Sequence, residues 1–440
     1  MATWGMSGPV DLLRRTGSLW WRCWPRLIGI WLVGWLARYW LFKLAVYVGV
    51  HVGGFWGDLI MPLAVLVRLV TYISMYLVMR GETDLTHENT EGQSRYQAFV
   101  GIVLKAILPV FVLFAAWRLI LADYVLYLGS LNADLAYAEY SGLAPDRTLA
   151  QYQEFMTPSD WRAYLAILVA FVARGVLTKY AEKLPAWTQP VAVYLQALWV
   201  VLLLNAATNR LVGSPKWISE RKIIVWYTDQ KERLLEHFGW FGEAWNRVTD
   251  AVGPTVLAVL LAVTWIAIVG TVYAVRPDTT WAGVGRAAFG ELQGSRVTDI
   301  ASRTGLEAKA RWQRLPIIVQ TRASEIFRSL LGIADQLRDT LRLTLHSGPV
   351  TFCFFVFAFM GTVVLDPNGA YFNVYVTDGY MWRAVAMLLG PHEWMWWASY
   401  REALRVAIGA LIDPLRACLV VAMYWHCVER ASRPLVTTEA

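Results

Sequence analysis

The sequence predicts an all-α protein that crosses a membrane about eight times, and three observations carry that expectation. The chain of 440 residues is 57% hydrophobic and only 17% charged, whereas soluble domains average roughly 45–50% apolar and about 25% charged residues. Several runs approach or exceed the roughly 20 residues that an α-helix needs to cross a bilayer's hydrocarbon core. Most basic residues flank those runs, where they hold helix ends at an anionic membrane surface. A soluble enzyme, a disordered chain and a secreted disulfide scaffold are excluded by this composition.

The cleanest spans are 187–207, 252–275 and 347–365, which contain no Asp, Glu, Lys or Arg. Spans 28–49, 58–79, 98–122, 161–182 and 403–424 contain isolated charges. Gly213-Ser214-Pro215, Gly348-Pro349 and Asp366-Pro367-Asn368-Gly369 punctuate the chain between them. Arg14, Arg15, Arg22 and Arg26 precede the first run. No small-residue cleavage pattern follows that run, so it reads as a retained helix.

With the N-terminus inside, the cytoplasmic segments hold 22 basic residues against 10 outside. Laying the first run flat gives 14 against 18, so the positive-inside rule selects the first arrangement. The resulting organisation begins with a basic cytoplasmic N-terminus, 1–27. A five-span bundle over 28–207 follows, with an acidic outer loop at 131–160. Next come an interfacial amphipathic segment at 208–251, a sixth span at 252–275 and a cytoplasmic helical insertion at 276–346. The last two spans, 347–424, enclose an aromatic outer loop at 366–400, and a cytoplasmic tail occupies 425–440. Arg outnumbers Lys 32 to 8, which fits a GC-rich bacterial genome and hence a bacterial plasma membrane.

The polar insertion carries Ile326, Leu330, Ile333, Leu337, Leu341 and Leu345 at helical spacing. Either the protein's own cytoplasmic surface or a partner helix must cover this stripe. Segment 214–247 mixes Lys216, Arg221, Lys222, Lys231 and Arg233 with Trp217, Trp226 and Trp240, which suits a helix lying in the headgroup layer. The outer loop holds Tyr375, Trp382, Trp394, Trp396 and Trp397. It reads as an aromatic belt, or as a groove whose indole and phenol rings take a lipid or glycolipid.

Charges inside the spans are the sharpest signal. Arg38, Arg68 and Asp413 fall near the centres of their runs, where each costs roughly 2.5–3.5 kcal/mol to insert. They are expected to face the bundle interior, with Asp413 paired to Arg68 or Arg38, or to Arg416 one turn along its own helix. Pro414 frees the carbonyl of Ala410 in the same turn. Two arginines and one aspartate leave a surplus positive charge suited to an anion or a lipid headgroup. Lys43, Lys105, Arg118, Asp123 and Arg174 lie nearer span ends, from which they can snorkel. Arg38–Gly49 and Arg118–Gly129 share the spacing Arg-x8-Tyr-x-Gly.

No phosphate-binding loop, HExxH or GxSxG sequence is present. Cys23, Cys353, Cys418 and Cys427 form no CxxC pair, and six histidines lie scattered, so no metal and no cofactor is expected. Nucleic acid is not an expected partner, since the basic residues flank spans. The leading expectation is a non-enzymatic integral membrane component, a scaffold or accessory subunit, of a bacterial envelope lipid or glycolipid export or assembly system. Membrane lipids and proteins docking on 276–346 are its expected partners. The alternative is a transporter or channel for an anionic or amphipathic solute using Arg38, Arg68 and Asp413. A third is a membrane-embedded lipid-modifying enzyme using the neighbouring pair His392 and Glu393.

Overall fold

A computed structural model describes residues 7–83, 119–140, 161–180, 188–210, 258–273, 339–345, 347–366 and 379–432, with isolated positions between 102 and 111 and at 185 and 256. Among them every regular element is a helix. These are α1 (Ser7–His51), α2 (Gly54–Arg80), α3 (Leu119–Tyr140), α4 (Trp161–Lys179), α5 (Thr188–Arg210), α6 (Ala258–Tyr273), α7 (Pro349–Leu365), α8 (Tyr380–Leu389) and α9 (Trp394–Ser432). A short helical piece, Asp339–Leu345, precedes α7 and meets it at 112°.

Three of these helices, α1, α2 and α9, are long and apolar enough to cross a membrane, and α7 with the bent piece before it forms either a broken fourth span or a re-entrant loop. The remaining apolar helices are shorter. α4 carries a continuous exposed face of Leu165, Leu168, Val169, Phe171, Val172 and Val176. A patch of that kind marks contact with lipid or with another protein.

The expected boundary at residue 27 falls inside α1, whose 45 residues give a length of about 67 Å. Leu12, Thr16, Leu19, Cys23 and Leu27 recur every three or four residues and are all buried. This stripe carries the helix through the segment that the arginines marked as a separate tail. The helical start of the expected outer loop differs as well, since α3 continues through 131–140.

α1 and α2 form an antiparallel hairpin closed at Gly53, whose φ of 140° lies where an L side chain would be strained. Gly57 is the point of closest approach. A Cβ there would fall on the Tyr127 hydroxyl, 2.6 Å from the Ala45 carbonyl oxygen and 3.1 Å from the Gly49 Cα. Two of those three neighbours are backbone and cannot swing aside. Gly57→Ala is therefore expected to cost about 1–3 kcal/mol by overpacking. Gly29→Ala, where a Cβ meets nothing within 4 Å, is the neutral control in the same thermal-unfolding measurement.

The other helices pack around this hairpin. α9 runs antiparallel to α1, and the bond from Trp31 to Asp413 and the ion pair of Arg15 with Glu429 mark its path. The Tyr273 hydroxyl of α6 donates to the Tyr76 carbonyl at 3.0 Å, and its ring meets Tyr424 edge-on. α5 joins α2 where the Tyr194 hydroxyl donates to the Leu59 carbonyl at 2.7 Å. α4 and α5 hold each other through Ala170, Leu198 and Leu202 and through Phe171 against Trp199.

Candidate functional site

The isolated charges of the spans sort into two buried clusters. In the first, Asp123 of α3 stands between two guanidiniums. Arg38 Nη2 donates to Asp123 Oδ1 at 2.6 Å, and Arg68 Nη1 donates to Oδ1 and Oδ2 at 3.0 and 3.1 Å. The Asp123 side chain is 6% exposed, Arg68 12% and Arg38 27%. One carboxylate against two arginines leaves a unit positive charge, and only Arg38 gives it an open side.

In the second cluster Arg416 Nη1 donates to Asp413 Oδ1 at 2.6 Å, while Trp31 Nε1 donates to Oδ2 at 3.0 Å. Arg416 also donates through Nε to Thr362 Oγ1 at 3.2 Å. Its Nη2 reaches the carbonyls of Thr362 at 3.1 Å and Asp366 at 2.6 Å. These carbonyls lie at the C-terminal end of α7 and its cap, where the Thr362 carbonyl also accepts the Asp366 amide at 3.0 Å and the helix dipole is negative. Arg416 thus closes α7 onto α9. Tyr72 shares a hydrogen bond with Arg68 and lies within electrostatic reach of Asp413 and Arg416, so it connects the two clusters.

The cross-helix pairing of Asp413 with Arg68 or Arg38 does not occur. Asp413 takes the partner one turn along its own helix, and both other arginines go to Asp123. Asp123 is not at a snorkelling end, because α3 starts at Leu119 and carries it into the bundle at 5% exposure. Nor do the charges form one layer. Trp31 and Arg38, two turns apart on α1, set the clusters about 10 Å apart along its axis.

Asp58 of α2 is also buried and accepts a hydrogen bond from the Tyr124 hydroxyl at 3.3 Å. One turn on, the Tyr127 hydroxyl is buried without a partner, against Gly49 and Gly57. The residues that share the Arg-x8-Tyr-x-Gly spacing therefore meet, Tyr127 of one segment against Gly49 of the other.

The aromatic residues stand on helices instead of a loop. Trp382 lies on α8, and Trp394, Trp396 and Trp397 form the first turn of α9, after a break at Gly390-Pro391. His392, Trp396 and Tyr400 stack in succession, with ring centroids 4.2 and 4.8 Å apart. Trp382 tilts against Trp397 at 5.9 Å. Glu393 and His392 are both exposed at this helix start, and the Glu393 carbonyl accepts the amides of Trp396 and Trp397. Tyr375 lies outside the described residues.

Of the amphipathic stripe in the insertion, Leu341 and Leu345 pack against the chain's own core. Ile326, Leu330, Ile333 and Leu337 lie outside the described residues, as does segment 211–255. Among the described residues no three His, Cys, Asp or Glu side chains gather where they could hold a metal ion.

No protein-family model matches the chain, and comparison with the curated proteins and with the solved structures found no match.

Sequence reasoning missed Asp123, Trp31, Asp58 and the α7 carbonyls. For Asp123 a signal existed. Two central arginines need carboxylates, and Asp123 is one of the acids in or beside the candidate runs, with Asp58, Asp160, Glu182, Asp366, Glu402 and Asp413. The span boundary drawn at residue 122 hid the answer by one position.

Proposed function

We propose that the protein is a non-enzymatic scaffold or accessory subunit of a bacterial envelope lipid or glycolipid export or assembly system. In this reading it crosses the plasma membrane about eight times, with both termini cytoplasmic. The observation that carries the reading is the uncovered aromatic element formed by α8 and the start of α9. No residue of α8 is buried, and Met387 and Leu388 are each 88% exposed. An apolar helix left bare beside a ladder of Trp and Tyr matches the headgroup boundary, where rings keep one wet edge and one apolar face. The two ion clusters support the same reading, because each carboxylate is held by guanidiniums from within the bundle and ties helices together.

Purification of the full chain from native membranes in mild detergent tests this. Co-purifying protein and bound lipid are expected, and a lone monomer free of both overturns the reading. Burying a side chain such as Met387 or Leu388 is worth roughly 1.5–3 kcal/mol. A Met387→Glu, Leu388→Glu variant is therefore expected to lose lipid from this element while its bundle stays intact, as read by quenching of Trp fluorescence with brominated lipid.

The open side of Arg38 favours one second reading. A transporter for an anionic or amphipathic solute would pass its cargo beside the positively charged Arg38–Asp123–Arg68 cluster.

A further inference from the structure

At the end of α9 remote from the aromatic ladder, the first turns of α1 and the last turns of α9 flank a half-open cleft of about 470 Å³. Asp11, Arg14 and Arg15 line it from one side, and His426, Glu429 and Arg430 from the other. Arg15 engages both carboxylates, with its Nε 2.8 Å from Asp11 Oδ2 and its Nη2 2.7 Å from Glu429 Oε2. Three arginines against two carboxylates leave the wall one surplus positive charge, with Arg14 and Arg430 outside the Arg15 ion pairs. Arg430 is fixed there by donating Nη1 to the Ser347 carbonyl at 2.6 Å. The first turn of α1, whose Gly8 and Val10 also face the cavity, carries no acidic side chain. It presents the positive end of a helix dipole.

Two polar atoms on this wall are buried with no partner, His426 Nε2 and Arg15 Nη1. His426 is only 5% exposed, and its Nδ1 faces Asp11 Oδ2 at 3.3 Å. That carboxylate accepts the Nδ1 proton, while burial and the Arg430 and Arg15 charges favour the neutral ring, so Nε2 stands as an acceptor for a P–OH. An orphaned buried polar atom costs roughly 1–3 kcal/mol, a cost removed by a ligand that supplies the missing partner. A tetrahedral oxyanion can engage Nε2, a guanidinium fork and a helix N-terminus together.

Depth agrees with this chemistry, and here alone the inference rests on the membrane reading. Along the helices, Asp11 lies about 30 Å from Trp31 and His426 about 20 Å from Asp413. Both distances exceed the ~15 Å half-thickness of the hydrocarbon core. With the Trp31–Asp413 contact near mid-depth, the cleft falls outside the hydrocarbon core, at the headgroups or just beyond them.

We propose that this cleft is a seat for a phosphomonoester group, held by Arg14, Arg430 and His426 Nε2, carried by a lipid headgroup or by a soluble phosphoester. The test uses the full chain in maltoside micelles, which contain no phosphate, titrated calorimetrically with inorganic phosphate and separately with phosphatidic acid. Binding of at least one probe is expected, weakened tenfold or more by Arg14→Gln and by His426→Gln, since hydrogen bonds to charged groups contribute roughly 1.5–3 kcal/mol. Arg14 is exposed, so its variant keeps the fold if His426→Gln does not. Binding of phosphatidic acid alone assigns a lipid headgroup, and equal binding of inorganic phosphate assigns a soluble phosphoester. Absence of binding by both probes, or binding unchanged in Arg14→Gln, overturns the proposal. Neither result depends on whether a partner protein co-purifies, so the scaffold reading fails or stands separately.

Discussion

Replacing Asp123 by Ala is expected to destabilise the protein by about 3–5 kcal/mol, the usual consequence of removing one partner from a buried ion pair. Two guanidiniums then remain in the bundle, Arg68 almost wholly enclosed, without the carboxylate that both of them bond. Arg38 can turn to water on its open side, whereas Arg68 stays enclosed unless the contacts around it open. The loss is measurable as an earlier midpoint in thermal unfolding monitored by size-exclusion chromatography. The triple variant Arg38→Leu, Arg68→Met, Asp123→Leu is the decisive comparison, since exchanging an entire buried ionic set for apolar side chains is often neutral or stabilising. Recovery of stability in the triple variant with Asp123→Ala unstable shows that the cluster is a structural tie. If the stable triple variant loses uptake of an anionic solute, the transporter reading replaces the scaffold. Full stability of Asp123→Ala would remove the structural role altogether.

Arg416→Ala is expected to have an effect of the same order, about 3–5 kcal/mol, for a different reason. It strips Asp413 of its counter-charge and the last turn of α7 of three hydrogen bonds, to Thr362 Oγ1, the Thr362 carbonyl and the Asp366 carbonyl. Arg416→Lys should rescue only part of this, because one ammonium on a flexible stem cannot hold Asp413 and those acceptors together. Hydrogen exchange localises the effect. Protection is expected to fall first at the C-terminal turn of α7 and around Asp413 on α9. Unchanged exchange there would show that α7 is held by packing alone.

The helical class was legible because apolar runs, unlike local packing, depend on composition over a long window. Helix limits were less legible. The arginines of residues 14–26 looked like a solvated tail, whereas the buried Leu12–Leu27 stripe makes the segment part of the bundle. Arg416 as a partner for Asp413 was visible as a same-helix spacing. Asp123 as the partner of both Arg38 and Arg68 was not, because pairing between distant helices depends on rotation and stagger that no single segment encodes. The aromatic residues were visible as a group, but their stacking through His392, Trp396 and Tyr400 appears only once Pro391 is placed outside a helix that starts at Trp394.

The contact between Trp31 and Asp413 joins residues 382 positions apart, and that has a consequence for biosynthesis. At about 5–20 residues per second, the ribosome needs roughly 20–80 s after making the first helix to deliver the last. Throughout that interval α1 has α2 beside it but not α9, so the Trp31 indole lacks its Asp413 acceptor. Final closure of the bundle is therefore a late event, and a nascent chain stalled before residue 394 should remain protease-sensitive however correctly its earlier helices have been inserted.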